Sequence, residues 1–188
     1  LYSVDASGVQ TSSARIDFGA GLIISPMLDS TTGKVYVFSS DNANGGGGNS
    51  AVYQFATNFA SATSGTHVNI GNTSASGIFP GDFDNEYYTS LCCNAGNLYV
   101  CGVSAAGAAP TLWQIPILGS GALGTPNMGP ALAASGNTCG LVTEIYNPNA
   151  SGGPKDWIFT NVQGGAVTGA PINCPAASGC LMSFDVTS

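Results

Sequence analysis

Short apolar runs that return at a fixed interval constrain this chain more than any other feature. Lys34-Val35-Tyr36-Val37-Phe38, Asn97-Leu98-Tyr99-Val100-Cys101 and Asp156-Trp157-Ile158-Phe159-Thr160 recur at a spacing of about 60 residues. A second run keeps the same register: Ala51-Val52-Tyr53-Gln54-Phe55, Thr111-Leu112-Trp113-Gln114-Ile115 and Cys180-Leu181-Met182-Ser183-Phe184, each after a Gly-, Ala- or Pro-rich stretch. A third strand precedes each pair, at Gly21 to Met27, around Gly77 to Phe83, and at Gly140 to Tyr146. Apolar residues nowhere recur at helical spacing over a dozen positions, and Gly or Pro interrupts nearly every window, so the chain is expected to be all-β. Gly33 and Gly96, just before the first-strand runs, would supply the positive φ of a tight hairpin turn.

Three strands plus a more variable fourth in each unit is the arithmetic of propeller blades. The segment Gly33-Lys34-Val35-Tyr36-Val37-Phe38-Ser39, followed by Ala51-Val52-Tyr53-Gln54-Phe55 and by Gly65-Thr66 to Gly71, resembles the YVTN-type repeat of bacterial and archaeal surface propeller proteins. The signature tetrapeptide stands here as Tyr36-Val37-Phe38-Ser39, Tyr99-Val100-Cys101-Gly102 and Trp157-Ile158-Phe159-Thr160, in units longer than that family's. The resemblance implies a propeller fold and an extracellular setting and carries over no catalytic residue. The expected units are 19–76, 77–138 and 139–188, with 1–18 the end of a preceding blade. Closed propellers take about four to eight blades. About three units therefore suggest a partial propeller or one completed by other chains, in which open blade faces invite identical chains to assemble.

At 188 residues and 44% hydrophobic content the chain can bury a core. Only 7% of it is charged, against roughly 25% in a typical soluble domain. The net charge of −7 rests on 10 acids against Arg15, Lys34 and Lys155. No basic stripe exists to follow a nucleic-acid backbone or an anionic membrane surface, and no apolar stretch approaches the roughly 18 residues of a membrane span. The absence of an initiator Met and of a signal-peptide pattern reads as a processed or truncated product. The six cysteines lack zinc-site spacing and read as disulfides, hence as a secreted or cell-surface protein. Cys174 and Cys180 bracket a short loop whose ends can meet, leaving Cys92, Cys93, Cys101 and Cys139 for two further bridges of open pairing.

The densest polar cluster is Gly81-Asp82-Phe83-Asp84-Asn85-Glu86. On an extended segment Asp82, Asp84 and Glu86 share one side, an oxygen-only set suited to Ca²⁺, although the turning glycine and distal Glu of an EF-hand are missing. With Glu144 the same acids would supply the acid and base of a polysaccharide hydrolase or lyase, which requires one of them to face a second carboxylate of perturbed pKa in a pocket. His67, the single histidine, has no nucleophile elbow beside it and reads as a strand or turn residue. Residues Asn42 to Asn49 lack the Lys of a phosphate-binding loop and read as a flexible hairpin tip. Asn72-Thr73-Ser74 and Asn149-Ala150-Ser151 match the N-glycosylation pattern. Tyr36, Tyr53, Tyr87, Tyr88, Tyr99, Trp113 and Trp157 fall on or near strands as packing residues, and one or two of them could stack a sugar. The functional expectation is a non-enzymatic binding or structural module, with a glycan, a protein or identical chains as partner. An extracellular filament subunit and a polysaccharide-active enzyme are the alternatives.

Overall fold

The computed structural model describes residues 1–19, 24–44, 46–72, 78–90, 95–105, 109–165 and 178–188. Tyr2–Val4 (β1) and Gln10–Ser12 (β2) pair as a short ribbon. Met27–Asp29 (β3), Lys34–Ser39 (β4), Asn49–Ala56 (β5) and Thr66–Asn72 (β6) form a four-stranded sheet in chain order. A second four-stranded sheet contains Asp82–Phe83 (β7), Gly96–Val103 (β8), Pro110–Ile117 (β9) and Asn127–Ala131 (β10), with the helix Asn85–Thr89 (α1) between β7 and β8. Cys139–Asn147 (β11), Lys155–Val162 (β12) and Cys180–Asp185 (β13) make a three-stranded sheet. Every pairing is antiparallel between consecutive strands, and none of these sheets closes on itself. The chain is all-β.

Alternation along each strand sends side chains to two different layers. In the first sheet Tyr36, Phe38 and Val52 meet Leu98, Val100, Trp113 and Ile115 of the second, while Val37, Tyr53 and Phe55 pack on Ile16 and Phe59 at the other face. The second sheet turns Tyr99, Cys101 and Leu112 toward Val142, Ile158, Val162 and Met182 of the third. Strands with two covered faces therefore read as unbroken apolar runs. β12 instead alternates buried and half-exposed positions from Asp156 to Thr160, because the far face of the third sheet is open. There Leu141, Ile145 and Leu181 are 57%, 52% and 75% exposed.

Of the strand expected at Gly21 to Met27, residues 21–23 lie outside the described residues; among those described pairing starts at Met27 and runs to Asp29, directly after Pro26, which has no N–H to donate. The strand expected around Gly77 to Phe83 contracts to Asp82–Phe83, just beyond Pro80, for the same reason. Gly33 has φ 65° at the β3–β4 turn, as expected of a tight hairpin. Gly96 serves a different purpose, since a Cβ there would lie 2.5 Å from Tyr87 N. Nor is the base of the loop after β4 a loose tip. Asn42 is fully buried, donates to Asn69 Oδ1 at 2.5 Å and accepts the Tyr53 hydroxyl; Gly45 lies outside the described residues.

Candidate ligand-binding site

The acidic segment that the sequence singles out sits where all three larger sheets come together. It does not stay extended. The Asp84 carboxylate accepts Tyr87 N at 3.0 Å and caps α1, then accepts Asn97 N at 3.0 Å and Asn97 Nδ2 at 2.7 Å from β8. Ser90 N closes the single turn on Glu86 O at 2.9 Å. This capping breaks the alternation assumed for Asp82, Asp84 and Glu86: Asp84 is buried, Asp82 half-buried and Glu86 exposed. Both oxygens of Asp82 are engaged as well, Oδ1 by Phe83 N at 2.9 Å and Tyr88 Oη at 2.7 Å, Oδ2 by Glu144 N at 2.9 Å. Among the described residues no group of three or more His, Cys, Asp or Glu side chains is arranged to hold a metal ion.

On the side of the first sheet, α1 and β7 bound a cleft of about 400 Å³ lined by Met27, Leu28, Asp29, Phe83, Tyr87 and Tyr88. Phe83 and Tyr87 stack at 3.9 Å and 11°, and Tyr36 meets Phe83 edge-on at 5.1 Å. Tyr88 stands nearly perpendicular to both rings and remains 57% exposed, with its hydroxyl fixed by Asp82. At the cleft wall Asp29 accepts the Tyr87 hydroxyl at 2.5 Å, Thr31 N at 2.9 Å and the Thr32 hydroxyl. Burial works to raise the Asp29 pKa, but the Thr32 and Tyr87 hydrogen bonds outweigh it and hold the carboxyl below its ordinary value. The same contact raises Tyr87: burial contributes most, and the Asp29 carboxylate disfavours loss of the hydroxyl proton. Tyr88 is raised by burial and then by Asp82. Both phenols thus stay neutral, Tyr87 donating to Asp29 and Tyr88 to Asp82, on a wall of aromatic and aliphatic faces.

On the side of the third sheet the chemistry is purely acidic. Asp156, 5% exposed, takes Asn85 N on Oδ2 at 2.7 Å, whereas its Oδ1 has no donor among the described residues. Oε1 of Glu144 is likewise buried without a donor. Burial is the largest cause of a Glu144 pKa raised to about 7, followed by contact with Asp156 and the charges of Asp82 and Asp84. Tyr99 is pushed up to about 12, mainly by burial. The second carboxylate that a hydrolase requires is therefore present, but Glu144 and Asp156 do not line the cleft described above.

Of the other residues singled out, His67 lies on β6 opposite Tyr53 and stacks on its ring at 5.0 Å. Trp113 is buried and donates Nε1 to Val103 O at 3.0 Å. Cys101 and Cys139 form a disulfide between the second and third sheets, one of the pairings the sequence left open. Cys180 is disulfide-bonded too, and Cys92, Cys93 and Cys174 lie outside the described residues, as do Thr73 and Ser74 of the first glycosylation pattern. Asn149 is exposed in the turn after β11. Sequence reasoning missed Asp29 and Asp156. Asp29 carried no signal beyond a turn-forming residue, but the period-2 pattern of β12 puts Asp156 on the same face as Ile158 and Thr160, where a lone carboxylate stands out. Comparison of the chain with known protein families, curated proteins and solved structures returns no match.

Proposed function

We propose that this chain is part of a secreted or cell-surface β-propeller-type protein, a non-enzymatic binding module whose ligand is a neutral sugar or glycan. The observation that carries this reading is the cleft between the first two sheets, with exposed Tyr88 and Leu28 beside the Asp29 acceptor. Stacked antiparallel sheets of consecutive strands support the propeller assignment, and a disulfide supports an oxidising compartment. A net charge of −7 disfavours anionic polysaccharides, so the ligand class is uncharged. Screening the protein on a glycan array, followed by calorimetry on any hit, tests the idea. Tyr88→Ala should weaken binding about 10-fold or more while the unfolding transition is kept, since a stacked ring contributes on the order of 1.5 kcal/mol. Binding that survives the substitution unchanged would place the ligand elsewhere.

A second reading, assembly of identical chains into an array, is favoured by the apolar end face of Leu141, Ile145 and Leu181.

A further inference from the structure

Two carboxyl groups on neighbouring strands leave buried oxygens without donors. Glu144 lies opposite Ile158, and Asp156 opposite Tyr146, so the two acids are diagonal neighbours on the inner face of the third sheet. Neither Glu144 Oε1 nor Asp156 Oδ1 accepts from any N–H or O–H of the described residues. Among the described residues the titratable groups around them are acidic or phenolic: Asp82 on β7, the cap Asp84, Glu86 and Tyr88 on α1, and Tyr99 on β8. No cation faces them. Lys155 on β12 is on the opposite face in a 2.6 Å pair with Asp185, Arg15 is bound to Asp17 O and Phe18 O, and Lys34 begins β4. Two facing buried acceptors with neither a donor nor a cation between them are satisfied when one carboxyl keeps its proton and donates to the other.

We propose that Glu144 and Asp156 share one proton on the inner face of the third sheet, and that this proton keeps their charge off the seam with the β7–α1 segment, making the contact between the second and third sheets pH-sensitive. The backbone already couples the same parts: Asp156 Oδ2 holds Asn85 N at the start of α1, and Glu144 N is held by Asp82. Losing the proton leaves two adjacent anions, Asp156 buried and Glu144 half-buried, that repel Asp82 and Asp84 on the β7–α1 segment. Their repulsion acts directly across the seam that these hydrogen bonds close.

The sign follows from linkage. The folded Glu144 carboxyl, raised to about 7 from its ordinary 4.5, holds its proton more tightly than the unfolded chain does. The stability it contributes is complete below about 4.5 and is lost as pH rises toward about 7. Thermal unfolding of the whole chain in chelator, followed by circular dichroism from about pH 5 to about pH 8, should show Tm falling across this range. Glu144→Gln and Asp156→Asn, each placing an amide donor where the proton was, should flatten the slope and raise Tm at the alkaline end. Glu86→Gln, an exposed acid on α1, should keep the wild-type slope. Because each variant is compared with wild type, other titrating groups such as the Leu1 amine cancel. Hydrogen exchange at the alkaline end, corrected for intrinsic rates, should quicken in β11 to β13 more than in β4 and β5. A wild-type slope in whichever amide variants fold would overturn the proposal. So would calcium restoring the acid-side Tm at the alkaline end, which would show that the oxygens hold a cation, not a proton.

Discussion

Gly71 shows how closely two sheets are allowed to approach. It sits near the end of β6 at φ 69°, and a Cβ built on it would fall 1.9 Å from Val103 O of β8. Both the backbone conformation and the space exclude a side chain. Gly71→Ala should therefore lower stability by at least about 2 kcal/mol, seen as an earlier urea midpoint with an unchanged m-value. An unchanged midpoint would mean that the first two sheets separate at no cost, contrary to the packing of Tyr36 and Val52 on Leu98 and Trp113. Tyr88 and Glu144 belong to this scale as well: one an exposed ring beside an acceptor, the other a half-buried acid whose buried Oε1 has no donor among the described residues.

Among the elements, β11 is tied to the second sheet by three different means. Cys139 is bonded to Cys101 of β8, Glu144 N is bonded to Asp82 of β7, and Val142 N donates to Pro80 O at 3.3 Å. The disulfide closes a separation of 38 residues and restricts the unfolded chain accordingly. Replacing both cysteines by Ala should cost about 2–4 kcal/mol, measured by urea unfolding under oxidising conditions. Adding reductant to the unsubstituted protein should produce at least that loss, since the bond made by Cys180 is reduced as well. A double variant as stable as its parent would assign the hold on the third sheet to the apolar layer around Ile158 and Met182 instead.

At the scale of the molecule the two ends of the stack are unlike. Phe59, Ile16 and Leu1 cover the outer face of the first sheet, whereas the outer face of the third presents Leu141, Ile145 and Leu181 to solvent. Leu181 is 75% exposed, so Leu181→Lys should leave stability within about 0.5 kcal/mol of the parent. If identical chains assemble through this face, light scattering of the parent should show mass rising with concentration and the variant should remain monomeric. A parent that is monomeric throughout would remove the array reading and leave the cleft as the site of function. The ledger of charge agrees with a surface built for neutral contacts: three basic residues in 188, one of them in an ion pair at the margin of that face.

The sequence by itself determined the β class and the position of most long strands. Short apolar runs such as Lys34 to Phe38 and Asp156 to Thr160 are local signals, and each appears as a strand. It also marked Gly81 to Glu86 as the densest polar segment, and that segment does lie beside the cleft. Only the tertiary structure decided what those acids do. A carboxylate's role depends on the donors that surround it, and beside their local donors Asp84 and Asp82 take bonds from Asn97 and Glu144, residues distant in sequence. Asp29 joined Tyr87, and Glu144 joined Asp156, because strands and sheets packed them together, and pKa shifts arise from that burial and proximity rather than from spacing along the chain.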